Sequence, residues 1–277
     1  VKHCKGPLAS EDIELTLDAG LDSLDYDAFV FHRLLKPYFL PVVEQIRKLG
    51  KKVVWETDDD LWHIPKWNPA SRSYDETALG TVNWVREVAD AILVSTPELA
   101  NVVDRPDKTW IGPNLLDLDL WPDVPARDDG EVRILWAGSV HHEKDLHEIV
   151  PAAERLLGEF PQVRFYFFGD LPDKMAEYVR LKYTHLALMV PHERYGGHVG
   201  FVQPVPTDQY IEALSTLQPD IAVCPLCADP FNDSKSNIKW LEMSMAGATV
   251  AATDLPPYQC IRHGSDGLLV APGDAEG

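Results

Sequence analysis

Val132-Arg-Ile-Leu-Trp-Ala-Gly138 runs into a segment whose Leu146, Ile149, Val150, Ala153, Leu156, Leu157 and Phe160 recur on one face. Val163-Arg-Phe-Tyr-Phe-Phe168 follows, closed by Gly169-Asp170. Apolar residues every three to four positions mark an amphipathic helix, and the short, nearly continuous apolar runs on either side mark strands covered on both faces. Strand, helix and strand in that order are one unit of a parallel α/β layer.

The same alternation extends outward in both directions. Toward the C-terminus come a strand near 199–202, a helix carrying Tyr210, Ile211, Leu214 and Leu217, and Ile221-Ala-Val223. A helix over about 236–246 and strands at 249–252 and 267–270 complete that side. Toward the N-terminus stand Asp27-Ala-Phe-Val-Phe31, a helix pattern at Val42, Val43, Ile46 and Leu49, and Lys52-Val-Val-Trp55. A helix with Leu79, Val82, Val85 and Val88, then Ala91-Ile-Leu-Val94 and Lys108-Thr-Trp-Ile111, complete this side. Between the two series, residues 117–130 are acidic, rich in Pro and Gly and poor in helix formers, as an interdomain linker is. The expectation is an α/β chain of two Rossmann-like domains facing a cleft, one over residues 1–125 and one over 126–277. Ligands in such sheets bind beyond the carboxyl ends of the strands, so the chemistry is sought there.

Composition narrows the function. Twenty-five Lys and Arg against 44 Asp and Glu leave a net charge of −19 over 277 residues. That field repels nucleic acid and anionic bilayers. No apolar run approaches the ~18 residues of a membrane helix, and no signal peptide opens the chain. Val1 in place of Met leaves the completeness of the ends open. Four cysteines are too few for a disulfide framework; a cytoplasmic protein is expected.

Asp233-Ser-Lys-Ser-Asn-Ile-Lys-Trp-Leu-Glu-Met-Ser-Met-Ala-Gly247 places Ser234 or Ser236 to cap a helix striped by Ile238, Leu241 and Met245. The free N–H groups of Ser236, Asn237 and Ile238 would form an anion pocket. Glu242 lies one turn beyond Ile238, where it could accept from ribose hydroxyls. Alone, the segment also reads as an ordinary capped amphipathic helix. In Gly138-Ser-Val-His-His-Glu-Lys144, Lys144 stands where the helix dipole favours acids. It is either a phosphate ligand or a surface lysine.

Taken together, these pieces resemble the GT-B glycosyltransferases, most closely the large retaining group 1, or family 4. The run 237–250 looks like that family's donor helix, headed by a Glu at position 242. Ala252-Thr-Asp-Leu-Pro-Pro-Tyr258 and Gly264-Ser-Asp-Gly-Leu-Leu-Val270 continue its pattern. Ile134-Leu-Trp-Ala-Gly-Ser139 through Lys144 is similar to its phosphate-clamp turn. Ile111-Gly-Pro-Asn-Leu-Leu-Asp117 and Ala89-Asp-Ala-Ile-Leu-Val-Ser95 are similar to the segments entering its linker.

The resemblance implies a glycosyltransferase, hexosyltransferase-like, acting in polysaccharide biosynthesis. It would move a sugar from a nucleoside-diphosphate donor to a saccharide, lipid-linked glycan or other hydroxyl acceptor, with retention and with no metal or other cofactor required. Glu242 would bind the donor ribose. Lys144 and the amides of Ser236, Asn237 and Ile238 would hold the diphosphate, with Gly138, Ser139 and Lys235 completing the donor site. The N-terminal domain, short for the family, would supply the acceptor side. His32, at the end of Asp27–Phe31, is similar in place to a family histidine near the donor sugar, although strand-end histidines also serve as structural hydrogen-bonders.

Departures from the pattern support a second reading. The clamp arginine falls at Ser139 and the first Glu of the family's E-x7-E at Ser234, as in a non-catalytic nucleotide-sugar-binding module with a degenerate site. A third reading uses Asp58-Asp-Asp60 as a cation site in a metal-dependent transferase. The order of elements favours an acceptor-side or structural acid cluster instead, with Asp58 facing the cleft. Cys224-Pro-Leu-Cys227 lacks the second pair a zinc site needs, and a redox pair lacks its context. His142-Glu-Lys-Asp-Leu-His147 is not H-E-x-x-H. Trp62 and Trp67 could stack on a sugar or pin their loop.

Overall fold

The computed structural model describes residues 26–170 and 199–274; residues 1–25 of the expected first domain and the terminal 275–277 lie outside this range. Two parallel sheets are present among the described residues. The first has the order β1-β2-β3-β4, from β1 (Ala28–His32), β2 (Lys52–Thr57), β3 (Ala91–Val94) and β4 (Thr109–Ile111). Helices α1 (Leu40–Lys48), α2 (Glu76–Val88) and α3 (Pro97–Val103) connect these strands. Val53, Trp55, Ile92 and Val94 from the central strands pack with Val43, Ile46, Val82, Val85 and Leu99 from the helices. Capping fixes the helix starts. Asp75 accepts the Ala78 N–H at 2.8 Å, and Thr96 accepts that of Leu99 at 3.1 Å.

Covering on both faces, expected for every strand, fails at this sheet's edges. β1 alternates exposed and half-buried residues, with Val30 55% exposed, and Trp110 on β4 is 69% exposed. An edge strand has a neighbour on one side only, and among the described residues the helices cover the centre of the sheet.

The second sheet has the order β10-β9-β8-β5-β6-β7. Its strands are β5 (Val132–Gly138), β6 (Val163–Gly169), β7 (Val199–Val202), β8 (Ile221–Cys224), β9 (Thr249–Thr253) and β10 (Leu268–Val270). Among the described residues its helices are α4 (Glu143–Glu159), α5 (Thr207–Leu217), α6 (Pro230–Asp233) and α7 (Ile238–Met245). Successive residues of β5 serve opposite faces. Ile134 and Trp136 join Leu146 and Leu157 of α4 in one core, while Leu135 and Ala137 join Leu214, Met243 and Ala246 in the other. Phe160, expected on the helix face, instead caps the end of α4 and is 41% exposed.

The chain starts this sheet at its centre, builds outward to β7, and then returns to the other side of β5. That reversal is a topological switch point. β5 stays paired with β6 as far as Gly138 opposite Gly169, but its register with β8 stops at Leu135 opposite Ala222. The pairing of β5 with β8 thus ends three residues short of the carboxyl end of β5.

Segment 117–130 is not a free linker. Trp121 is buried in the second sheet's core and Leu116 packs against it. Arg127 pairs with Asp129 and Asp220. α7 begins at Asn237 with no side-chain cap bond, so neither Ser234 nor Ser236 caps it. Ser234 gives its hydroxyl to the Pro230 carbonyl at 3.2 Å, and Ser236 accepts from Asn114 at 2.8 Å.

Candidate active site

A cavity of about 350 Å³ lies beyond the carboxyl ends of β5 and β6. Two glycines shape its floor. Gly169 has φ +112°, and a Cβ there would stand 2.0 Å from the Gly138 carbonyl oxygen. Any side chain at 169 would drive the two strand ends apart. A Cβ at Gly138 would meet the Trp136 ring at 2.6 Å. Ala137, Phe168, Pro204 and Val205 give the cavity apolar walls, and Ser139, His142, Tyr210 and Lys239 face it with polar groups.

Three of those polar groups belong to defined arrangements. His142 Nδ1 lies 2.8 Å from Asp145 Oδ2, and Asp145 is buried. The other Asp145 oxygen accepts the Cys227 amide at 2.8 Å and Asn232 Nδ2 at 3.0 Å. Burial, followed by the charge of Lys239, pushes the His142 imidazole down to about 4. Burial opposes ionisation of Asp145, but His142 and the Cys227 amide hold its pKa below the ordinary value. The pair is thus a carboxylate and a neutral imidazole, with Nδ1 turned to Asp145.

Tyr210, stacked on Phe168, gives its hydroxyl to Glu242 Oε2 at 3.3 Å. Burial raises the Glu242 pKa against the opposing effects of Tyr210 and Lys239. Lys239 Nζ donates to the Ala137 carbonyl at 3.0 Å and lies 5.7 Å from the centre of the Trp136 ring. Burial lowers its pKa.

The structure distributes the expected site residues unevenly. Gly138 and Ser139 line the cavity, and Glu242 reaches its wall through Tyr210. Lys144 is exposed on the first turn of α4, with its charge felt by Cys227 and Asp229. Lys235, Ser236, Asn237 and Ile238 form the approach to α7. Lys235 lies 4.3 Å from the centre of the Phe231 ring and 3.5 Å from Asp59, Asn237 Nδ2 is 3.3 Å from Cys260 Sγ, and Ser236 is bound to Asn114.

His32 and Asp58 come together at the strand ends of the first sheet. With Glu56 they place ligand-capable atoms within 4.8 Å of one another. His32 is hydrogen-bonded to Glu56, while Arg33 engages both Asp58 and Asp59. Asp60 is buried and accepts the Trp62 and His63 amides at 3.0 and 3.1 Å. The run 58–60 is therefore two acids paired with Arg33 and one turn cap.

Trp62 is held by an edge contact to Trp55 and by Nε1 donation to Asn83 at 2.9 Å, so it pins its loop. Cys224 and Cys227 are free thiols, which burial pushes up to about 11 and about 12.

Sequence reasoning missed His142, Asp145, Tyr210 and Lys239. A signal existed for three of them: His142 and Asp145 stand three apart at a helix start, and Lys239 places a cation in the first turn of a helix.

Residues 131–277 match the family described as Glycosyl transferases group 1. Three solved structures share the fold. TarM has a TM-score of 0.61 at 14% identity, covering 90% of this chain and 45% of that one. HepE from Anabaena, solved with UDP and glucose, has 0.59 at 16%, covering 90% and 65%. OtsA has 0.54 at 14%, covering 90% and 62%. A TarM variant from S. aureus was solved with Fondaparinux, alpha-GlcNAc-glycerol and UDP. The chain thus spans between 45% and 65% of the length of these three neighbours. No curated protein matches it. With more than half of its residues matched by one family and two parallel sheets in a GT-B-like arrangement of elements, the chain has the GT-B fold and belongs to the group 1 glycosyl transferases.

Proposed function

We propose that this chain transfers a sugar from a nucleoside-diphosphate sugar to a hydroxyl group, with retention and without a metal ion. The observation that carries this reading is the cavity at the β5–β6 ends, where apolar walls adjoin a polar face beside the switch point. A planar base suits the Phe168–Val205 side, and a ribose suits the Glu242 side. The diphosphate extends toward Ser139 and the amides of Ser236, Asn237 and Ile238, with Lys144 reaching in from α4. HepE and TarM, which share the fold, have each been solved with UDP. A UDP-sugar is the first donor to test.

The reaction breaks the bond between the sugar's anomeric carbon and the β-phosphate oxygen and forms one to the acceptor oxygen. The acceptor proton passes to the departing phosphate. Charge grows on that phosphate as the bond breaks, and fixed donors that meet it lower the barrier. Residues 1–125 would present the acceptor, a saccharide or lipid-linked glycan, with His32 and Asp58 on that side. The pairing of Asp58 and Asp59 with Arg33 supports a charged, structured rim over a cation site.

Calorimetry with UDP, GDP, ADP, CDP and TDP, with and without EDTA, tests the donor site. One nucleotide is expected to bind irrespective of chelator, with affinity weakened about tenfold in Glu242→Ala. Release of free sugar from its donor should then persist in EDTA. Absence of binding by all five would remove the donor site; binding without turnover would favour a non-catalytic module.

A further inference from the structure

Lys239 is a largely buried ammonium without a counter-charge. Of its three donors, one goes to the Ala137 carbonyl at 3.0 Å, and among the described residues it pairs with no carboxylate. Asp145 and Glu242 act on it only from a distance, and Asp145 is already satisfied by His142, Cys227 and Asn232. An unpaired buried cation costs stability.

Its position explains what that cost supports. Lys239 meets the end of β5 at Ala137, past the last residue that β5 pairs with β8, and its Nζ lies 3.2 Å from where a Cβ of Gly138 would be. A side chain at Gly138 would crowd it. Among the described side chains lining the cavity, it is the one cation, because His142 is neutral there and the others are apolar or uncharged apart from the exposed Asp170 at the rim. It rises from the first turn of α7, an N-terminus with no acidic side chain and no side-chain cap, so ammonium and helix dipole favour an anion at the same point.

The geometry points to Lys239 as the cation that grips the donor's diphosphate and stabilises it as it leaves. The inference rests on the donor-site reading above and assigns that site a residue outside the set expected from sequence. An ammonium is a compact point charge with free donors. Two N–H groups remain to meet phosphate oxygens while the third keeps the side chain tied to β5.

The test is Lys239→Met, which keeps length and removes charge. Calorimetry would compare UDP, GDP, ADP, CDP and TDP with the corresponding nucleosides, in wild type and variant. The diphosphate that wild type binds is expected to weaken by about tenfold to a hundredfold in the variant, the range for charge-assisted hydrogen bonds. The parent nucleoside should bind as before, and circular dichroism should show the same fold. Adding Ser139→Arg, which delivers a cation to the same cavity, should recover part of the loss. Equal diphosphate affinity in wild type and Lys239→Met would overturn the inference while leaving the donor site standing, and so would equal weakening of nucleoside and diphosphate. If wild type bound none of the five, the donor-site reading would fail first and take this inference with it.

Discussion

Thr96 Oγ1 donates to the Ser234 carbonyl at 2.8 Å across 138 positions of sequence, while the same oxygen accepts the Leu99 amide at 3.1 Å. One buried hydroxyl thus caps α3 and ties the first sheet's half to the segment that leads into α7. Thr96→Val should remove both bonds while keeping shape. A loss of about 1–3 kcal/mol is expected, combining a cap with a buried carbonyl left unpaired. Urea unfolding checks it, and an unchanged midpoint would show the bond to be dispensable.

Gly169→Ala should be far more damaging than an ordinary surface change. A methyl at φ +112° would overlap the Gly138 carbonyl, so the strand ends must separate or the loop must shift. A cost of about 2–4 kcal/mol follows from combined strain and overpacking, readable as a drop in Tm. Diphosphate binding should weaken as well, because these residues form the cavity floor.

Acid should destabilise the fold through His142. The folded chain holds its pKa near 4 against an ordinary 6.5. Between those values the unfolded state binds the extra proton, so stability is full above pH 6.5 and declines as pH falls toward 4. The decline attributable to this group is at most about 3 kcal/mol. Lowered in the fold as well, the Asp145 pKa adds stability above its unfolded value that is lost on further acidification. Urea midpoints measured from pH 7 to 4.5 should fall in wild type and fall less in His142→Gln. An NMR titration should find the His142 ring neutral at pH 5.5.

Glu242 should recognise ribose hydroxyls. Glu242→Ala is expected to lower affinity for the bound nucleoside diphosphate about tenfold. It should leave the affinity of the 2′,3′-dideoxy analogue unchanged. Equal losses for both would assign Glu242 a purely structural role beside Tyr210.

Much of the fold was legible because burial writes itself into periodicity. Leu146, Ile149, Val150 and Leu157 could only be one helix face, and Val132–Gly138 could only be a covered strand. Phe160 misled because the chain leaves the helix there, and nothing in its hydrophobicity marks the exit. Gly138, Ser139 and Glu242 could be placed because they sit at strand ends or in a recognisable helix. Lys239 and Tyr210 could not, because their place at the cavity comes from Lys239 meeting the end of β5 and from Tyr210 stacking on Phe168 of β6. That geometry depends on sheet order, which no local pattern contains. For Asp58 to Asp60 the sequence favoured an acid cluster over a cation site but could not say which acid does what: identical neighbours face different partners once Arg33 and the Trp62 turn are in place.

Trp121 has a geometric consequence for how the two halves can move. β4 ends at Ile111, and Leu116 is already held by the second core to which Trp121 belongs. The strap between them is Gly112-Pro-Asn-Leu115, which even fully stretched lets Ile111 and Leu116 stand only about 17 Å apart at roughly 3.4 Å per residue. Asn114 within it is itself fastened to Ser236 at 2.8 Å. Through so short a strap the halves can pivot but not drift apart, so any widening of the cleft is a rotation about residues 112–115.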